Sequence, residues 1–81
     1  MTRESVFERL TVVFHDVFDD ENIVISDSTT ASDIDGWDSL GHLNLIVAIE
    51  AEFKMKFSVD EVVSIQNVGD IVNLLLSKEV L

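Results

Sequence analysis

The segment from Ser39 to Phe53, SLGHLNLIVAIEAEF, is apolar on two opposite sides, and this restricts the folds open to the chain. Advancing about 100° per residue along a helix, Leu45, Ile46, Ile49 and Phe53 fall on one face. Leu40, Leu43, Val47 and Ala51 fall roughly opposite. One stripe suffices to hold a helix to a small core. The other must meet a neighbouring helix, a ligand or a partner protein. Two readings stand: a central helix buried on both sides, or a helix whose Leu40, Leu43 and Val47 form a docking strip.

The residues just before this segment, Asp35-Gly36-Trp37-Asp38, are a turn meeting a helix start. Asp-Gly breaks the chain, and Asp38 or Ser39 can cap the helix by accepting a backbone N–H bond. The Ser39 hydroxyl then lies on the first turn, facing solvent. First-turn amides carry partial positive charge and favour a phosphate placed there.

The remaining helices follow from spacing and caps. Val6, Phe7, Leu10, Val13, Phe14, Val17 and Phe18 predict an amphipathic helix over 3–18, with Thr2 as N-cap. Its three aromatics read as core. His15, beside Asp16, reads as a surface residue. Residues 19–38 have no helical period, and Asp19-Asp20-Glu21-Asn22 ends the first helix. Ile23, Val24 and Ile25 are an apolar patch that can pin this loop, and residues 26–33 are turn chemistry throughout. So long a connection is uncommon and usually functional. Ser58 and Glu61 form a capping box that opens a short helix to about Ile65. Asn67 caps a last helix to about Ser77, with Val68, Ile71, Val72, Leu75 and Leu76 inside. The expected fold is all-α: a four-helix bundle with a short third helix and a long loop between helices one and two.

With 81 residues, of which 47% are hydrophobic, one core is feasible and two are not, so 1–81 reads as a single domain. A chain of this size buries only about 60% of its unfolded surface. It has no cysteine, so any thiol chemistry depends on an added group, and a reducing, cytoplasmic setting is expected. The N-terminus, Met1-Thr2-Arg3-Glu4-Ser5, has no apolar signal region. The longest wholly apolar run, Leu45 to Ile49, is too short to span a bilayer.

Five basic residues stand against 16 acidic ones, a net charge of −11. Between Arg9 and Lys54 there are ten acids and no Lys or Arg. Phosphate contact needs cations, so nucleic acid is not an expected partner. The charge serves either plain solubility or steering toward a basic protein surface.

Other chemistries fail on spacing. Placing Gly36 at position six of a calcium loop puts Ala31 and His42 where carboxylates belong. Ser39 and His42 stand one helical turn apart beside Asp38, but no Gly-x-Ser-x-Gly elbow or oxyanion donor pair accompanies them. His42 reads instead as a half-buried or surface residue. Two distant histidines without cysteine make a poor metal site. A helical module that binds proteins without a prosthetic group is the alternative class, and it leaves the exposed Ser39 unexplained.

Asp38-Ser39-Leu40 at the start of the second helix of a small acidic chain resembles the acyl carrier proteins. The resemblance runs nearly end to end, through Ala48-Ile49-Glu50-Ala51-Glu52-Phe53 and Asn67-Val68-Gly69-Asp70-Ile71. It implies a non-enzymatic carrier. A phosphopantetheinyl transferase would join 4′-phosphopantetheine from coenzyme A to Ser39, with Asp38 assisting through magnesium. The thiol of that arm would carry acyl groups as thioesters. Leu40, Leu43 and Val47 would be touched by acyl-loading and acyl-transferring enzymes with basic surfaces, and Gly41, His42 and Glu50 of the same helix would shape partner choice. No membrane insertion is implied, and a monomer is expected.

The chain also departs from the family's habit. Housekeeping members are acidic just after the serine, where this chain has Gly41, His42 and Asn44. Trp37 is bulky, and Ser58 stands where proline is common. These departures point away from general fatty acid synthase service. They point toward a specialised lipid, polyketide-like or surface-glycan pathway, with an aminoacyl or peptidyl carrier as the nearest relative in role.

Overall fold

The computed structural model describes residues 1–79. Within them all regular structure is helical: α1 Arg3–Phe18, α2 Ser39–Phe53, α3 Val59–Ser64 and α4 Val68–Glu79, with a 3-10 turn at Ala31–Asp33. This is the four-helix arrangement expected from spacing. The last helix runs two residues past Ser77, to Glu79.

Each helix begins where a side chain can satisfy its free N–H groups. The Thr2 hydroxyl accepts from the Ser5 N–H at 3.0 Å, and the Thr2 N–H donates back to Ser5 Oγ at 3.1 Å. Asp38 caps α2, its carboxylate accepting the Gly41 N–H at 2.8 Å. Ser58 and Glu61 cap α3 reciprocally at 2.8 and 3.2 Å. Asn67 accepts the Asp70 N–H at 2.8 Å, while Asp70 accepts that of Gln66 at 2.9 Å. Asp19 and Lys54 end α1 and α2 in the left-handed region, at φ 51° and 55°.

The core lies among α1, α2 and α4. Val6, Leu10 and Phe14 of α1, Leu45 and Ile49 of α2, and Val68, Ile71, Val72 and Leu75 of α4 are fully buried. α3 places no buried residue there. Arg9 ties α1 to the end of α2, donating to the Glu52 carboxylate at 3.0 Å and its carbonyl at 2.8 Å above the Phe53 ring. Arg3 joins the N-terminal end of α1 to Asp27 and to Asn73, the latter at 2.9 Å.

The long loop is ordered by four anchorages. First, His15 donates from Nε2 to the Ile23 carbonyl at 2.8 Å, so it is a half-buried loop clamp and not the plain surface residue expected. Second, Ile23 and Ile25 are half-buried, while Val24 between them faces solvent. Third, the Thr29 and Asp27 carbonyls accept the Val68 and Gly69 N–H groups at 2.9 and 3.0 Å, seating the loop on the N-terminus of α4. Fourth, Ile34 and Trp37 enter the core. Trp37 is 5% exposed and meets Phe14 edge to face, with centroids 5.3 Å apart. This last anchorage sets the entry to α2.

Candidate functional site at the tip of α2

Ser39 is the first residue of α2 and is exposed. Its cap is supplied by Asp38, so the Ser39 hydroxyl is not consumed in starting the helix. Gly36, at φ 89°, turns the chain before it. Gly41 is buried one turn into α2, where a Cβ would collide with the Gly36 carbonyl oxygen and press on Phe18 at 3.2 Å. The two glycines therefore let the turn and helix pack backbone to backbone. Gly41 has no side chain to offer and is enclosed by its own fold, so its observed part is this close packing.

Two surfaces flank Ser39. On one side Leu40, Leu43 and Val47 are 68%, 57% and 65% exposed. The opposite stripe, Leu45, Ile46, Ile49 and Phe53, is buried. Of the two readings open from sequence, the helix buried on both sides is thus excluded. Val59 and Val63 of α3 are also exposed, and sequence reasoning missed them. Their only signal was the three valines in a helix of six residues.

On the other side lies an open groove of about 450 Å³ between α2 and α3. Ser39 and Asp38 stand at its edge, with Trp37, His42, Val62 and Ile65 among its walls. His42 is half-buried and held at both nitrogens. The Trp37 indole N–H donates to its Nδ1 at 2.9 Å. Its Nε2 donates to the Val62 carbonyl at 3.1 Å. Because Nδ1 accepts, the proton sits on Nε2 and the ring is neutral. Trp37 was seen in sequence only as a bulky neighbour of the serine. As an isolated aromatic in a turn it carries no periodic signal.

Glu50 lies further along α2. Only 18% of its side chain is exposed, and its carboxylate accepts the Phe57 N–H at 2.9 Å. It fastens the α2–α3 connection and presents little charge to a partner. The outer face of α2 is consequently neutral from Ser39 to Ala48. On α3, the Lys78 ammonium, 2.7 Å away, and the Ser58 backbone N–H hold the Glu61 carboxyl below its usual range.

A small bundle that holds out one serine between an apolar strip and an open groove has the architecture of a carrier. Comparison with known proteins agrees. The family described as "Phosphopantetheine attachment site" matches residues 8–75. An acyl carrier protein of Petrotoga mobilis is 34% identical over 79 residues, covering 96% of this chain and 92% of its own. The solution structure of a holo acyl carrier protein from Geobacter metallireducens superposes with a TM-score of 0.83 at 47% identity, covering 89% of this chain and 83% of that one.

The chain belongs to the phosphopantetheine-attachment family of acyl carrier proteins. It is a carrier and not a catalyst, and its prosthetic group is covalently attached 4′-phosphopantetheine. Among the described residues no helix is long and apolar enough to cross a membrane.

Proposed function

We propose that Ser39 is the attachment point, and that the chain carries acyl intermediates as thioesters for a specialised pathway. The observation that carries this reading is the exposed hydroxyl at the tip of α2, beside the groove. The site suits a phosphodiester. The N–H groups of Ser39 and Leu40 open the helix without intrahelical partners, and the dipole there favours an anion. Loading forms a bond from Ser39 Oγ to the phosphorus of coenzyme A's pantetheine phosphate and breaks the pyrophosphate link to the adenosine part. The serine proton passes to a base on the transferase. The bound arm supplies the thiol that this cysteine-free chain lacks.

Asp38 contributes twice, as the α2 cap and as a carboxylate next to the reacting hydroxyl, where it can help hold magnesium during loading. Leu40, Leu43 and Val47 form the strip on which the phosphopantetheinyl transferase and acyl-handling enzymes dock. The net charge of −11 steers basic partners at long range, and the neutral α2 face leaves the contact itself apolar. That neutrality supports a dedicated lipid, polyketide-like or surface-glycan route. A small interface suits brief encounters between a monomeric carrier and successive enzymes, and the absence of cysteine suits the cytoplasm.

The test is intact mass. Incubation with coenzyme A, magnesium and a broad-specificity transferase is expected to add one phosphopantetheine to the wild-type chain and none to Ser39→Ala. No gain in the wild-type chain, under conditions that load a control carrier, contradicts the reading.

A further inference from the structure

We propose that His42 is a specificity-determining residue that confines the cargo to the open groove, so that this carrier is built for short acyl groups. The inference rests on attachment at Ser39. Three observations carry it.

First, His42 joins two groups that each need a partner. The indole N–H of Trp37 is at a buried side chain and must be paired. The Val62 carbonyl lies in the last turn of α3, where helix carbonyls have no intrahelical donor. One neutral imidazole satisfies both, at 2.9 and 3.1 Å. Second, this bridge links the entry of α2 to α3 within the same groove that Ser39 lines. The Trp37 and His42 rings lie nearly parallel, 17° apart with centroids 6.1 Å distant. Third, the tryptophan of the bridge is itself rooted in the core. Trp37 rests edge-on against Phe14, and Leu45 and Ile49, further along α2, are fully buried.

An acyl chain that the arm on Ser39 folds back into the groove therefore meets the hydrogen-bonded Trp37–His42 plate in its lining and runs beside Val62 and Ile65. To go deeper it must break both bonds of His42 and leave an indole N–H and a carbonyl unpaired. A short chain is accommodated without that loss. A long chain leaves its outer carbons in water, where added methylenes gain no burial.

The test uses the full chain loaded at Ser39 from acetyl-, butyryl-, hexanoyl-, octanoyl- and decanoyl-coenzyme A. Loading is checked by intact mass and the melting temperature is read for each form. In the wild-type chain the melting temperature is expected to rise over the first members and level off by hexanoyl. His42→Ala is expected to start lower and keep rising to decanoyl. Trp37→Phe, which keeps an aromatic ring but removes the donor, is expected to fall between them, and it carries the comparison should His42→Ala not fold. A wild-type curve that climbs steadily to decanoyl overturns the proposal. So do variant curves merely displaced downward with the same shape, the mark of a purely structural role. A wild-type chain that does not load at all removes the attachment reading as well. Loading with unchanged curves removes this inference alone.

Discussion

The long loop of residues 19–38 and the short helix α3 exchange the roles their backbones suggest. The loop has a single 3-10 turn, yet Ile34 and Trp37 lie in the core and Thr29 is buried beneath it. α3 is regular, yet none of its residues is buried. It is held by polar clips: its own Ser58–Glu61 cap, Lys78 on Glu61, Glu50 on Phe57, and His42 on Val62. Burial is what makes a segment rigid, and hydrogen-bond regularity alone does not. The groove beside Ser39 thus has one fixed wall, rooted at Trp37, and one wall held by contacts that can be exchanged. A carrier that must shelter a cargo and then release it needs that asymmetry.

The contrast breaks most visibly at Trp37. Trp37→Ala removes a buried aromatic from the loop's anchor and is expected to cost about 3–5 kcal/mol. Val63→Ala, on the exposed side of α3, is expected to stay within about 0.5 kcal/mol. Urea midpoints at constant m-value check both. Equal losses would mean that α3 is as deeply rooted as the loop.

Next comes the turn-to-helix contact. Gly41→Glu drives a side chain into the Gly36 carbonyl and is expected to cost about 1–3 kcal/mol or more. Asn44→Glu, one turn on and exposed, is expected to be nearly neutral in stability. Thermal melts of the pair separate a packing constraint from a partner-recognition one. A stable Gly41→Glu chain would return that residue to the recognition surface.

The smallest effect concerns the clips on α3. The Glu61 carboxyl is held below the ordinary range of a glutamate, chiefly by its hydrogen bond from Lys78. A depressed carboxylate stabilises the fold above its unfolded pKa and loses that contribution as pH falls through its lower folded value. Wild type is therefore expected to melt slightly above Glu61→Gln at pH 7, with the gap closing as pH drops below about 4.5. A gap that is unchanged at low pH would assign the clip to packing instead of charge.

How much was legible in the sequence follows the same division. The bounds of α1 and α2 were readable because apolar spacing and a capping side chain coincide at Thr2 and at Asp38. The short third helix was readable from Ser58 and Glu61 alone, since a capping box is local. Contacts between distant segments were not. Trp37 sits in a turn without period, so its place in the core depends on where α1 puts Phe14 and Phe18. Gly41 reads as a missing side chain until the Gly36 carbonyl is seen against it. Glu50 reads as surface charge until Phe57 folds back onto it. His15 reads as a surface residue and His42 as a half-buried or surface residue with a part in partner choice, yet His15 holds the loop at Ile23 and His42 links Trp37 to Val62.

The central claim is that one particular hydroxyl receives the arm. The loop just before it offers Ser26, Ser28 and Ser32, all exposed and therefore fair competitors. Proteolytic mapping of the loaded chain by tandem mass spectrometry decides among them. The phosphopantetheine is expected on the fragment containing Ser39, at that residue alone. Its appearance on a loop serine, or spread over several, would contradict the claim.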